Sequence, residues 1–294
     1  MIKMLLSVWV FITAITPSFA IITPSFAIDP GVAEGVLRIN NESIELKHAY
    51  AHEYDNEDGL GEGPELRILL SDREVPQTLL SGFNAGFKLD SMARNGRIRG
   101  VLLRLDPVNL NTLLNGTILY PPDNPQNSLV SFTKTGTEEF QNIEMKNNRV
   151  MGKVKDERDA QSEDMPAYEF SASFSAPLFH DEHISARLSG EEAVKSPQAQ
   201  TILECEEAMR NWNLKKVKTL VSPEKFDEFQ GQIARLGDDT VKDMAKQMIP
   251  NRATREQQVK QVIVRGSQAV VVMEEEGSKE FIPLRQVKGK WIVD

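Results

Sequence analysis

The four histidines of this 294-residue chain fall in two close pairs. His48 and His52 are four residues apart, and His180 and His183 are three apart. Paired imidazoles could hold a metal ion or act as acid and base in a hydrolase. On one extended strand, however, His48 and His52 would be separated by about 13 Å, too far to share one ion. We therefore favour structural or exposed histidines over a metal site, and we predict no cofactor.

An acidic segment, residues 54–64, partly matches a calcium-binding loop. Asn56, Asp58 and Glu65 fall at ligand positions of such a loop, but Tyr54 stands where the first aspartate belongs. The flanking residues have the pattern of strands, whereas calcium loops of this type lie between helices. The segment is therefore predicted to be a solvated, mobile surface loop.

Cys205 is the single cysteine of the chain. An exported protein with one thiol forms no internal disulfide, so its domains hold together by packing alone. Cys205 shares an apolar helical pattern with Ile202 and Met209. We predict a buried small hydrophobe rather than a reactive thiol.

The formal net charge is −9, and the excess of acidic residues lies in residues 28–190. Residues 191–294 carry acidic and basic side chains in balance. No basic patch or tail is present, which disfavours a nucleic-acid partner.

The first 27 residues have the pattern of a secretory signal peptide. Lys3 precedes an apolar run, residues 4–14, that is too short to span a membrane. The heptapeptide ITPSFAI then occurs twice in succession, and its two Ser-Phe-Ala signals predict cleavage after Ala20 or Ala27. The mature protein is therefore expected to be exported to the periplasm or secreted, with no membrane span after signal removal.

Residues 28–190 are predicted to form a mainly β domain, an antiparallel sandwich or barrel. Apolar and polar residues alternate most clearly from Tyr168 to Ala176. Asn115-Gly116 and Asn147-Asn148 predict hairpin turns, and residues 184–188 predict the last strand of the domain.

A linker is predicted at residues 191–196, followed by a second domain at residues 197–294. Ser196-Pro197 and Ser222-Pro223 are typical helix starts, with Ser as the cap and Pro in the first turn. Short β-rich runs separated by glycine turns then predict an antiparallel meander over residues 259–294.

This second domain resembles the nuclear transport factor 2-like cone fold, and in particular its small bacterial exported members. The resemblance is carried by Ala208, Met209 and Trp212 in the first helix, by the Leu220–Pro223 step and by the Lys288–Val293 terminus. It implies an α+β architecture in which helices precede a curved antiparallel sheet. It also implies a pocket between the sheet and the first helix, where enzymatic members place acid and base residues. The N-terminal domain resembles no family that we identify.

Four apolar residues are candidates for the lining of that pocket: Met209, Trp212, Phe281 and Trp291. The first two share a helix face, and the other two flank the last turn of the meander. The alternative is that all four fill the core, since apolar pockets are few in any protein.

The residue types favour binding over catalysis. Residues 195–294 contain neither His nor Tyr, and no acid in this stretch falls clearly on an apolar face. We therefore predict an exported, non-catalytic envelope protein that binds a small apolar ligand or a protein partner. The alternative is a periplasmic enzyme, either a hydrolase using the N-terminal histidines or an isomerase-like enzyme using the C-terminal pocket. A homodimer through the C-terminal sheet is compatible with the first prediction.

Overall fold

The computed structural model describes residues 31–76, 79–81, 85–122, 129–133, 143–160 and 166–294. The predicted signal region and its cleavage sites lie outside these residues. The described chain is mainly β, with one large and one smaller sheet. It divides into two compact units, residues 31–181 and Glu182–Asp294. Within the described ranges, no helix has the length and apolar character needed to span a membrane.

The first unit is built on nine strands. They are β1 (Gly31–Ile39), β2 (Glu42–Tyr54), β3 (Glu65–Ser71), β4 (Gly100–Leu105), β5 (Leu113–Leu119), β6 (Val130–Phe132), β7 (Glu144–Lys146), β8 (Arg149–Arg158) and β9 (Tyr168–His180), with α1 (Ala85–Arg94) between β3 and β4. They form one sheet in the order β6-β5-β4-β3-β2-β1-β9-β8-β7. Neighbouring strands are antiparallel, and a short parallel contact joins β2 to β9.

Alternation along β9 explains how this sheet acquires its core. Tyr168, Phe170 and Phe174 are buried, while the intervening Glu169 and Ser171 are exposed. Successive side chains of a strand point to opposite faces, so one face of β9 enters the core and the other faces water. The predicted alternation is confirmed.

The large sheet curves until its inner face packs against itself. Phe132 lies on β6 at one edge, yet its ring centroid is 5.7 Å from that of Tyr168 and 5.9 Å from that of Phe170 on β9. Gly116 on β5 makes room for this contact, because a Cβ there would overlap the Phe132 ring. The buried residues of the inner face therefore form one continuous core. A second cluster, which includes Tyr50, Leu69 and Leu89, packs α1 with the other face.

The structure corrects one predicted turn and confirms another. Asn115-Gly116 lies inside β5. The chain reverses before that strand, between β4 and β5, where the amide of Asp106 donates to the carbonyl of Thr112 at 3.0 Å. The glycine serves the close approach of an aromatic ring rather than a turn. Asn147-Asn148 joins β7 to β8 with φ angles of 53° and 57°, as the hairpin prediction requires.

The second unit has six helices and five strands among its described residues. They are β10 (Ile184–Ser189), α2 (Gly190–Lys195), α3 (Pro197–Arg210), α4 (Leu214–Leu220), α5 (Pro223–Leu236), α6 (Asp238–Met248), α7 (Arg252–Gln258), β11 (Val259–Arg265), β12 (Gln268–Glu275), β13 (Ser278–Val287) and β14 (Lys290–Val293). The strands form an antiparallel sheet in chain order. Ile202 and Leu203 of α3 pack on one face of it, against Val262, Val271 and Ile282.

The two predicted helix starts are confirmed. The Ser196 hydroxyl accepts from the amide of Ala199 at 3.1 Å, and the Ser222 hydroxyl accepts from the amide of Lys225 at 3.3 Å. Each bond satisfies one of the amides that a helix leaves unpaired at its first turn.

The region between the two predicted domains differs from expectation. Residues 184–188, predicted as the last strand of the first domain, belong to β10, which pairs with β11 in the second sheet. Residues 191–195 of the predicted linker belong to α2, and Ala193 in that helix is fully buried. Burial of Ala193 with the core of the second sheet explains the difference, and the boundary between the units falls at Asp181 and Glu182.

Candidate functional site

A polar cleft opens in the second unit between α3 and the start of α7. Its volume is about 140 Å³. One wall is the C-terminal half of α3 and the other is the turn that leads into α7. The lining residues are Leu203, Glu206, Glu207, Arg210, Asn211, Pro250, Asn251, Arg252 and Arg255.

Arg255 forms the floor of this cleft and is only 2% exposed. Its Nε donates to Oε2 of Glu206 at 2.8 Å, and its Nη2 donates to Oε1 of the same carboxylate at 2.7 Å. Nη2 also donates to Oε2 of Glu280 at 2.8 Å, and Nη1 donates to Gln258 at 2.7 Å. The planar guanidinium thus joins α3, α7 and β13 in one charge-assisted network.

Glu280 reaches this network from the sheet. It alternates with Ile282 and Leu284, which are buried in the core, so its carboxylate lies on the same face of β13. Burial raises the pKa of Glu280, and Arg255 opposes that shift only in part. Its Oε1 atom is buried and has no hydrogen-bond partner among the described residues.

Arg252 occupies the more exposed rim of the cleft. Its Nη1 donates to Glu207 at 3.2 Å, and its Nε donates to Glu256 one turn along α7 at 3.0 Å. The Glu207 carboxylate, which lines the cleft from α3, is therefore already paired with a cation.

Arg210 differs from the other two arginines of the cleft. Its Nη1 donates to the backbone carbonyls of Ile249 at 2.6 Å and Lys246 at 3.1 Å. These carbonyls lie at the C-terminal end of α6, where a helix leaves acceptors unpaired. In the part of the chain that the structure describes, no carboxylate pairs with Arg210.

The predicted pocket residues on and after α3 lie in separate places. Met209 packs with Cys205, Val217 and their neighbours in a small cluster on the side of α3 towards α4. Trp212 packs edge-on against Phe229 with a centroid separation of 6.0 Å, and its Nε1 lies 3.2 Å from Oδ2 of Asp238.

The two predicted pocket residues of the sheet are separated as well. Trp291 packs against the core between α3 and the sheet. Phe281 follows Glu280 on β13, so its side chain points to the opposite face. The structure brings neither of them to the cleft, and the binding role of all four aromatic and methionine side chains stays a prediction.

The expectation that no acid lies on an apolar face is wrong at two positions. Glu206 follows Cys205 on the buried side of α3, and Glu280 occupies an inward position of β13. The alternation of Glu280 with Ile282 and Leu284 in the sequence indicates that Glu280 faces the core. No sequence pattern indicates that Arg255 is buried, because α7 has no apolar stripe.

One of the four histidines is buried in the first unit and another is exposed. His52 is 1% exposed, and its Nε2 lies 3.0 Å from Oδ1 of Asp181. His180 is exposed, with Nδ1 at 3.2 Å from Glu53. Among the described residues, no group of His, Cys, Asp and Glu is arranged to hold a metal ion.

The acidic loop after β2 is partly buried, whereas the sequence predicted a solvated loop; its mobility stays a prediction. Tyr54 donates its hydroxyl proton to Asp58 at 2.6 Å, and the guanidinium of Arg67 lies 4.4 Å from the centre of the Tyr54 ring. Burial, reinforced by the Asp58 carboxylate, raises the pKa of Tyr54. Asp58 is only 6% exposed and also accepts from the amide of Leu60, so the loop folds back on the sheet around this carboxylate.

Cys205 is buried, and burial raises the pKa of its thiol to about 12. Such a thiol stays protonated at neutral pH and reacts poorly. This agrees with its interpretation as a small hydrophobe.

Comparison of the chain with protein-family models, with curated proteins and with solved structures finds no match in any of the three. Function is therefore inferred from the geometry of the cleft.

Proposed function

We propose that this chain is an exported, non-catalytic binding protein of the cell envelope, and that its ligand occupies the cleft between α3 and α7. The cleft carries the proposal, because several charged side chains converge there on one concave surface of the second unit. Export is supported by the signal-like pattern of residues 1–27.

The pairing of the carboxylates supports binding without catalysis. A general base must be free to accept a proton from its substrate. Glu206 is held at both oxygens by Arg255, and Glu207 is paired with Arg252. None of the described residues that line the cleft is His or Tyr, so its charged groups are suited to hold a ligand in place.

The size and lining of the cleft favour a small polar ligand over the apolar one that the sequence suggested. A cavity of about 150 Å³ accommodates benzene in another protein, which sets the scale at roughly six heavy atoms. Leu203 and Pro250 supply an apolar part of the wall, and the rest is charged or amide. One side chain of a protein partner would also fit this volume.

The proposal extends to the fold of each unit. Helices precede an antiparallel sheet in the second unit, and α3 packs on one sheet face. This arrangement supports the nuclear transport factor 2-like interpretation of an α+β cone. In the first unit, the contact of Phe132 with Tyr168 supports a barrel over a flat sheet. A homodimer through the C-terminal sheet remains a prediction.

The enzyme alternative keeps one supporting observation, the pair of His52 and Asp181. Histidine–carboxylate pairs orient the base in many hydrolases. Here both side chains are almost fully buried, which withholds them from a substrate. If replacing His52 with Asn abolished a measured hydrolytic activity of a folded protein, the non-catalytic proposal would be wrong.

The test is a screen of soluble probes of up to about nine heavy atoms, with anionic, neutral and cationic members. Backbone amide shifts of the full chain are recorded with each probe, and the probe spectrum is recorded again after a day. We expect shifts at Leu203, Asn211 and Asn251 and an unchanged probe. Turnover of the probe, or binding that leaves these amides unmoved, would contradict the proposal.

A further inference from the structure

We infer that the cleft between α3 and α7 is a site for a small monocarboxylate, whose charged end is held by Arg210. This inference rests on the proposed function and names its ligand class. It depends on the balance of charges in the cleft, on the fixed position of one guanidinium and on the cleft volume.

The charge balance singles out Arg210. Arg255 is paired with Glu206 and Glu280, and Arg252 is paired with Glu207 and Glu256. Each of these two cations already has two carboxylate partners, so neither offers an unpaired positive charge to a ligand. Among the described residues, the hydrogen bonds of the Arg210 guanidinium go only to backbone carbonyls, so Arg210 is the cleft arginine without a carboxylate partner.

The position of Arg210 is fixed before any ligand arrives. Two carbonyls at the end of α6 hold its Nη1, which leaves Nη2 and Nε as donors on the same rigid plane. A planar fork with two remaining donors matches the two oxygens of a carboxylate. Because the side chain is already ordered, binding loses less conformational entropy there than at a free surface arginine.

The remaining lining sets the size and charge of the ligand. The cleft of about 140 Å³ suits roughly six heavy atoms, and Leu203 and Pro250 offer contacts to a short carbon chain. Glu206 and Glu207 repel a second negative charge, which favours a monoanion over a dianion. Butyrate has the corresponding size and charge.

The experiment compares butyrate with butyramide and butylammonium, which keep the chain and change the charge. Amide shifts of the full chain are titrated with each probe in the wild type and in Arg210→Gln. We expect butyrate to shift the amides of Leu203, Asn211 and Asn251 and to bind the variant at least about tenfold more weakly. Butyramide and butylammonium should bind the wild type more weakly than butyrate.

A second variant covers the case in which Arg210→Gln fails to fold, since Arg210 also caps α6. Asn211→Asp is nearly isosteric and places a negative charge on the cleft wall. It should weaken butyrate more than butyramide, because the added negative charge repels only the anion. Equal butyrate affinity for the wild type and either folded variant would overturn the assignment to Arg210.

The outcomes separate the ligand class from the function. If butyramide or butylammonium shifts the cleft amides and butyrate does not, the monocarboxylate is wrong and the binding function stands. If none of the three shifts them, while the wider probe screen also leaves them unmoved, both proposals fall.

Discussion

Arg255 and Glu206 form a two-point ion pair beneath the cleft: the Nε and Nη2 atoms of the guanidinium donate to the two carboxylate oxygens at 2.8 and 2.7 Å. The two residues are 49 positions apart in sequence, and both are almost fully buried. The pair holds α7 against α3 and fixes the cleft floor. Its loss should therefore affect both stability and binding.

We predict that Arg255→Met destabilises the protein by about 3–5 kcal/mol, because the buried Glu206 carboxylate and the partly buried Glu280 carboxylate lose their cation. Urea unfolding followed by tryptophan fluorescence measures this, since Trp212 and Trp291 both lie in the second unit. Arg252→Met is the control, expected to cost no more than about 1 kcal/mol because that pair is exposed. Equal costs for the two variants would contradict a buried network.

The raised pKa of Glu280 predicts a pH dependence. Burial is its main cause, and Arg255 opposes it. Because the folded state then holds the Glu280 proton more tightly than the unfolded chain does, this residue's contribution to unfolding free energy falls as pH rises from 4.5 through the raised pKa. The unfolding free energy of the wild type minus that of Glu280→Gln should therefore fall as pH rises over that window.

Urea unfolding at several pH values measures this difference, with the exposed Glu276→Gln as the matched control. A difference that rises with pH would mean that the ion pair with Arg255 outweighs burial, and the stated direction would be wrong.

Gly116→Ala should destabilise the first unit by about 1–3 kcal/mol, because the added methyl overlaps the Phe132 ring. Thermal unfolding followed by far-UV circular dichroism measures the change. Gly63→Ala is the control, since a Cβ there meets no atom within 4 Å. Replacing Phe132 with Leu in the Gly116→Ala background should recover part of the loss. No difference between the two alanine variants would argue against the curved sheet.

The export prediction concerns the two cleavage signals. Protein recovered from the periplasm should begin at Ile21 or Ile28, since each repeat ends in a usable Ser-Phe-Ala site. Intact mass distinguishes the two starts. Recovery only of a membrane-held chain beginning at Met1 would contradict the signal-peptide prediction.

Local patterns predicted the parts of the fold that local chemistry decides. The caps at Ser196 and Ser222 and the alternation of β9 each depend on a few neighbouring residues, and all three are confirmed. The turn predicted at Asn115-Gly116 is wrong, because a glycine suits a turn and a close aromatic approach equally well. The ring that Gly116 meets belongs to Phe132 on the paired strand β6, and this pairing is not visible in the neighbouring residues. The strand that pairs with β10 lies far along the chain, so no local pattern indicates which sheet β10 joins.

The candidate site was the least predictable part. Sequence reasoning chose large apolar residues, such as Trp212 and Phe281, whereas the cleft is lined mostly by charged ones. Three of its residues, Asn251, Arg252 and Arg255, belong to α7 or its cap, and no apolar periodicity marks that helix. Arg255 is buried only because Glu206 and Glu280 reach it from distant elements, which no local pattern reveals.

The most direct test of the binding proposal measures a dissociation constant for a variant with a filled cleft. The probe is whichever of butyrate, butyramide and butylammonium binds the wild type most tightly. Asn211→Trp places a large side chain on the cleft wall at an exposed position, and Lys215→Trp adds the same side chain at an exposed position outside the cleft. We predict that Asn211→Trp weakens binding at least about tenfold while Lys215→Trp leaves it unchanged. A folded Asn211→Trp variant that binds the probe as tightly as the wild type would contradict the account.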